Sequence, residues 1–268
     1  MREKTKFKFF YLPDGQIKYL PADVDLKIPM TKKKNKNAGI LAYIPWEKKY
    51  LRNVPEGYMD FFRFIFPYLN KRTTNVHVAS CLPFIKYLIK VENKIINKRV
   101  VYIAFFLHDA GWSKMCDREI GESLAVKGLR ITSTAKKSKI KHAVLGVRIA
   151  KNVLSQYNFN NPLSEEEKKL IYKIIFFHDR PRDWGKRIPS ELKIVSDADH
   201  LWSFTRENFW QDTVRKNIDP EIYANNLSKN LRDYLITGCS RKKAENLLKE
   251  RVKEIKILKK IKWVFSRQ

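Results

Sequence analysis

The residues best equipped for chemistry are few. The chain has only five histidines: His77, His108, His142, His178 and His200. The first four fall on, or at the end of, segments whose apolar spacing predicts buried helices. A single imidazole on an apolar face is ordinarily a core residue with its ring nitrogens satisfied. Recurrence on consecutive helices weakens that explanation, and so does the company these residues keep. Asp109 directly follows His108, and Asp197-Ala198-Asp199 stands on a later helix. Burying several imidazoles and carboxylates together is costly unless they share a counter-charge or a metal. Neutral imidazole and carboxylate form the ligand set of borderline and hard divalent ions such as Mn, Fe, Ni or Zn. Cys81, Cys116 and Cys239 make no CxxC pair, which argues against a purely structural zinc and against a disulfide framework.

These side chains have to be positioned by helices. Thr73-Thr74-Asn75 offers N-caps for a helix carrying His77, which Pro83 is expected to kink or break within two turns. Arg99 to His108 reads as a buried helix that Gly111 can end. His142 to Leu154 places His142, Gly146, Ile149, Ala150 and Val153 on one face. Ser164 with Glu167 three residues later forms a capping box. The helix it opens carries Leu170, Ile171, Ile174, Ile175 and His178 along one apolar stripe. A further helix is expected from Leu192 through Asp199 to Phe204. Arg241 to Gln268 reads as a basic amphipathic helix, with Leu247, Leu248, Val252, Ile255, Leu258 and Ile261 on its apolar side.

Residues 1–55 differ from the rest. Two apolar runs flank Pro13-Asp14-Gly15-Gln16, which predicts a β-hairpin. The lysine-rich stretch from Thr31 to Asn37 reads as a solvated loop, and Ile40 to Trp46 as a short strand. The expected organisation is an N-terminal β-containing arm at 1–55, a helical metal-binding domain at 56–240 and a basic C-terminal helix at 241–268. The fold class is mainly α.

Composition sets the partners. With 55 Lys+Arg against 28 Asp+Glu the net charge is +27, so phosphorylated small molecules, nucleic acid and anionic surfaces are all attracted, and charge alone does not choose among them. Compositional drift toward Lys, Asn and Ile is the competing explanation. The sequence offers no stretch long enough to span a bilayer and no signal-peptide pattern at Met1, and its cysteine usage fits a reducing, cytoplasmic setting.

The order His77, His108-Asp109, His142, His178, Asp199 resembles the HD-domain superfamily of metal-dependent phosphohydrolases over about residues 60–210. LHDAGWSK is similar to the family's apolar helix ending in His-Asp, HAVLGVRIAKNVL to its fourth helix, and VSDADHLW to its closing Asp-Ala-Asp segment. The resemblance implies one or two divalent ions (Mn, Fe, Ni, Co, Mg or Zn) and a helical bundle. It assigns His77, His108, Asp109 and Asp199 to a first metal. Asp109 would bridge to a second, held by His142 and His178. Asp197 would orient a ligand imidazole, and Asp179 either fixes an imidazole or caps a helix. Trp112 stands where many members have a lysine. Lys114, two places on, either reaches a phosphate beside Asp109 or is a solvated lysine. Arg180, Arg182, Lys186 and Arg187, just after His178, are the expected phosphate-binding cations, with Arg148 a weaker candidate, and Trp184 is a ring that can stack or pack. The implied activity is hydrolysis of phosphate mono- or diesters, nucleotides first. Alternatives are a nuclease or nucleic-acid-binding protein, favoured by the basic last helix, and a di-iron oxygenase on the same ligand set.

Overall fold

The computed structural model describes residues 6–12, 15–29, 39–92, 95–124, 126–127 and 130–265. Pro13, Asp14, the stretch Thr31–Asn37 and the last residues to Gln268 lie outside the described residues. The hairpin forms as expected: β1 (Phe7–Tyr11) and β2 (Ile17–Pro21) pair antiparallel, Tyr11 opposite Ile17, and Gly15 takes the positive φ of 82° that the turn demands. Everything of size after it is helical.

The helices follow in order as α1 (Met59–Ile65), α2 (Thr74–Val91), α3 (Lys98–Leu107) and α4 (Asp117–Ser123). A minimal hairpin, β3 (Val126–Lys127) with β4 (Arg130–Ile131), precedes α5 (Ser133–Gln156). Next come α6 (Glu165–Phe177), α7 (Ser190–Leu201), α8 (Arg206–Arg215), α9 (Pro220–Lys229), the short α10 (Leu231–Tyr234) and the long α11 (Gly238–Phe265). Helix starts are written locally. The Asn97 side chain accepts from Val100 N at the start of α3, Thr132 caps α5, and Ser164 with Glu167 closes the capping box of α6. One apolar core is continuous from Leu12 and Leu20 of the hairpin, through Phe105, Ile175 and Leu192, to Leu258 of α11. Val252, expected on the apolar side of that last helix, is exposed. Among the described residues no helix is long and apolar enough to cross a membrane.

Two local expectations fail for identifiable reasons. α2 continues unbroken past Pro83 to Val91. Pro83 lies on the exposed face, so its ring stands clear of the core and the loss is confined to one intrahelical hydrogen bond. Residues 40–46 form no strand beyond a single bridge between Lys27 and Tyr43. Side chains take the place of a partner strand. Gln211 Nε2 (2.8 Å) and Arg215 Nε (2.9 Å) both donate to the Ala42 carbonyl, while Ile44 N donates to Thr73 Oγ1 at 3.1 Å. Thr73 therefore does not cap α2. It adopts a left-handed φ of 67°, next to Arg72 at 54°, and its hydroxyl also receives Gln211 and Arg215. This buried knot fixes the loop that leads into the first histidine.

Glycine matters at one crossing. After α3 the chain turns through a short 3₁₀ segment, Ala110–Lys114, which lies directly on α5. A Cβ at Gly111 would sit 1.9 Å from the backbone oxygen of His142 and 2.6 Å from Gly146 N, so neither side can yield by a rotamer change. Gly111→Ala is expected to cost more than about 2 kcal/mol through overpacking. Urea denaturation should read this as a lowered midpoint with the slope unchanged.

Candidate metal centre

His108 and His178 occupy equivalent places, each the residue that ends its helix, α3 and α6. In each the Nδ1 lies 2.6 Å from the carbonyl oxygen three residues back, Phe105 for one and Ile175 for the other. With Nδ1–H donated there, Nε2 is left as a lone pair aimed at the centre of the bundle. His77 sits in the first turn of α2 and stacks on Trp202 (12° between planes, centroids 5.3 Å apart). His142 lies flat on Trp112, with a 9° angle and 4.2 Å between centroids. The Arg72 guanidinium covers the other face of that arrangement, 4.2 Å from the Trp112 ring.

The carboxylates join these rings into two sets. Asp109 Oδ2 is 3.3 Å from His77 Nδ1 and 3.8 Å from His108 Nε2. Its Oδ1 is 3.3 Å from His142 Nε2 and 3.7 Å from His178 Nε2, and accepts Trp112 Nε1–H at 2.9 Å. Asp199 Oδ1 completes the first set, 3.2 Å from His77 Nε2 and 3.6 Å from His108 Nε2. In the second set the two Nε2 atoms of His142 and His178 are 3.3 Å apart. A tetrahedral ion with bonds of about 2.1 Å requires ligand–ligand edges of about 3.4 Å. Both sets scatter around that length, so each can hold a divalent ion. The buried Nε2 atoms of His77 and His108 make no hydrogen bond, which is the signature of nitrogens whose partner is a cation rather than a protein group.

Electrostatics agree. Burial by itself would raise the Asp109 and Asp199 carboxyls, yet the surrounding imidazoles hold both well below the usual carboxylate range. Burial likewise opposes charge on His77 and His178. Cys81 together with the nearby Asp109 and Asp199 carboxylates outweighs burial at His77 and raises it well above its ordinary value, while Asp109, Asp179 and Asp199 push His178 up to about 9. His142 is lowered because burial prevails there. The pocket is an anionic basin that demands positive charge.

The basin opens into a cavity of about 340 Å³. Its lining includes His77, Asp109, Asp179 and Asp199 at one end, then Arg72, Lys139, His200 and Trp202, and a far wall from α8 to α10 that includes Asp212, Lys216, Tyr223 and Tyr234. The expected phosphate-binding cations stand elsewhere. Arg180 bonds Asp183 at 3.1 Å and covers Phe176; Arg182 donates to the Arg232 carbonyl; Lys186 and Arg187 are exposed. None lines the cavity, and neither do Lys114 and Arg148, both exposed. Trp184 packs edge-on to Phe177. Asp197, expected to orient an imidazole, is wholly buried with its oxygens accepting from Ile236 N, Thr237 N, Thr237 Oγ1 and Ser240 Oγ. It anchors the start of α11, and the carbonyls of Phe105 and Ile175 orient the imidazoles.

Lys139 and Arg72 were not singled out from the sequence. Lys139 precedes His142 by three residues and therefore shares its helix face, a signal that spacing does carry. Arg72 sits in an irregular loop, and nothing local points it at the site.

The neighbouring aspartates of α7 should separate by experiment. Asp197→Asn places an amide against four donors and is expected to cost about 3 kcal/mol of stability while leaving metal content unchanged. Asp199→Asn should do the reverse, lowering metal content with little effect on the unfolding midpoint of metal-free protein. Metal analysis by mass spectrometry beside thermal unfolding distinguishes them.

Comparison with known proteins gives one result. The family model described as HD domain matches residues 77–202, a span that starts at His77 and includes His108, Asp109, His142, His178 and Asp199. Neither a curated protein nor a solved structure matches the chain. The helical bundle, the two ligand sets and this match agree: residues 77–202 form an HD domain, the fold of a superfamily of metal-dependent hydrolases.

Proposed function

We propose that this protein is a two-metal phosphohydrolase acting on a phosphorylated small molecule, with a nucleotide as the first substrate to test. The observation that carries the reading is the shared Asp109, one oxygen in each ligand set, lining a cavity that Arg72 and Lys139 also line. His77, His108, Asp109 and Asp199 would hold one ion; Asp109, His142 and His178 a second. When bound, such ions supply the Lewis acidity that activates water at neutral pH and offsets charge on a phosphoryl group.

The chain's own residues do the rest. The carbonyls of Phe105 and Ile175 fix two imidazole tautomers, and Trp112 pins Asp109 Oδ1, so the donor set needs no reorganisation. Trp202 and Trp112 seal the backs of His77 and His142 against water. Lys139, held beside Asp179, and Arg72, with no ion pair among the described residues, reach into the cavity as the phosphoryl-binding cations. Farther out, Tyr234 beside His200 offers a ring face, and Asp212 and Tyr223 offer polar atoms to the rest of a substrate. A volume of about 340 Å³ suits a small molecule.

The test is metal analysis of protein purified without added metal, with phosphate release measured over a nucleotide panel in Mn, Mg, Fe, Co and Ni. Near two ions per chain and turnover abolished by Asp109→Ala are expected. Lys139→Met should raise KM about tenfold or more at unchanged metal content, since a charge-assisted hydrogen bond is worth about 1.5–3 kcal/mol. Absence of both metal and turnover after reconstitution overturns the reading. Bound iron with oxygen uptake and no phosphate release replaces it with an oxygenase.

A further inference from the structure

The two ligand sets become alike once one more residue is counted. Asp179 directly follows His178 at the end of α6, and its side chain is largely buried against the second set. Asp179 Oδ2 lies 3.7 Å from His142 Nε2 and 3.9 Å from His178 Nε2. The remaining measured edges of that set are 3.3, 3.3 and 3.7 Å. All are within about half an ångström of the edge a tetrahedral divalent ion requires. We infer that Asp179 is a direct ligand of the second metal, completing a His142, His178, Asp109, Asp179 site that mirrors His77, His108, Asp109, Asp199. The inference rests on the two-metal reading and adds to it a residue that the resemblance left as an orienting or capping group.

Three observations support it beyond distance. The orienting role is already filled, because the Ile175 carbonyl takes His178 Nδ1–H. The capping role is absent, since Asp179 makes no hydrogen bond to a helix N-terminus among the described residues and its other oxygen, Oδ1, accepts Lys139 Nζ at 3.0 Å. That ion pair leaves Oδ2 facing the imidazole nitrogens. The cation thus fixes the carboxylate's rotation from behind while the second oxygen points inward, the arrangement by which outer groups aim a ligating carboxylate. A set with two oxygens and two nitrogens also suits Mn or Fe better than a site built of imidazole alone.

The experiment uses the full chain loaded with Mn²⁺, desalted, and analysed for bound manganese by mass spectrometry and for affinity by calorimetric titration, with circular dichroism as the check of fold. Wild type should hold two ions. Asp179→Asn, close in shape but a poor ligand, should keep one, its second ion weakened more than tenfold, as in a His142→Ala benchmark. Asp179→Ala carries the same expectation if the amide variant unfolds. Lys139→Met, which removes only the outer partner, should retain two, its second ion weakened less than in Asp179→Asn. Two ions of wild-type affinity in the Asp179 variants overturn the inference. Equal loss in the Asp179 and Lys139 variants overturns it too, leaving Asp179 as an ion-pair partner. Wild type that takes up no second ion overturns the two-metal reading itself, a result distinct from either.

Discussion

A single carboxylate shared between two pairs of imidazoles is the constraint on which the rest of the bundle turns. Asp109 is buried, and in an apolar interior an uncompensated carboxylate costs several kcal/mol. Its compensation comes from four different helices: α2, α5 and the ends of α3 and α6. These helices must therefore converge to within a few ångströms of one point. Helix packing normally keeps axes 8–10 Å apart, and only small residues at the crossing let backbones come nearer. Gly111 and Gly146 supply that closeness where the turn after α3 lies on α5. Sterics at two glycines and electrostatics at one aspartate are thus the same requirement seen from two sides.

Around this centre lies a second layer that belongs to no single stretch of sequence. Thr73, Gln211 and Arg215 knot the extended segment at 40–46 to the start of α2 and to α8. The hydroxyl of Tyr223 donates to Asp212, whose other neighbours are Lys216 and Arg215, and together they hold the outer wall in place. The hairpin is tied in by Phe7 against Trp210. Parts flanking residues 77–202 are therefore structural members of the cavity, and the HD bundle and its wall share one core.

Much of the centre was legible in the sequence because its information is local. His108-Asp109 at a helix end, the face shared by His142 and Gly146, and the stripe ending in His178 are periodicities that the fold preserves. What was illegible is tertiary. Pro83 depends on which face of α2 meets solvent. The segment at 40–46 looks like a strand until side chains from residues more than 160 positions away supply its hydrogen bonds. Adjacency to His178 made Arg180 and Arg182 look like phosphate ligands, but the chain turns there and sends them to Asp183 and Arg232. Asp197 and Asp199 stand two apart on a helix, so they face different directions: one anchors α11 and the other faces the imidazoles.

The placement of His108 and His178 as the terminal residues of α3 and α6 carries an implication for the order of events. Two helix C-termini converge on the basin, and each brings the negative end of its macrodipole. Added to the carboxylates of Asp109, Asp179 and Asp199, they give the metal-binding end of the cavity a field that repels phosphate, although the protein as a whole is strongly cationic. On the phosphohydrolase reading, an anion drawn to the outer surface would be accepted by the inner chamber only after divalent charge has been installed. Cation first and phosphate second is the order that helix polarity would impose on that reading.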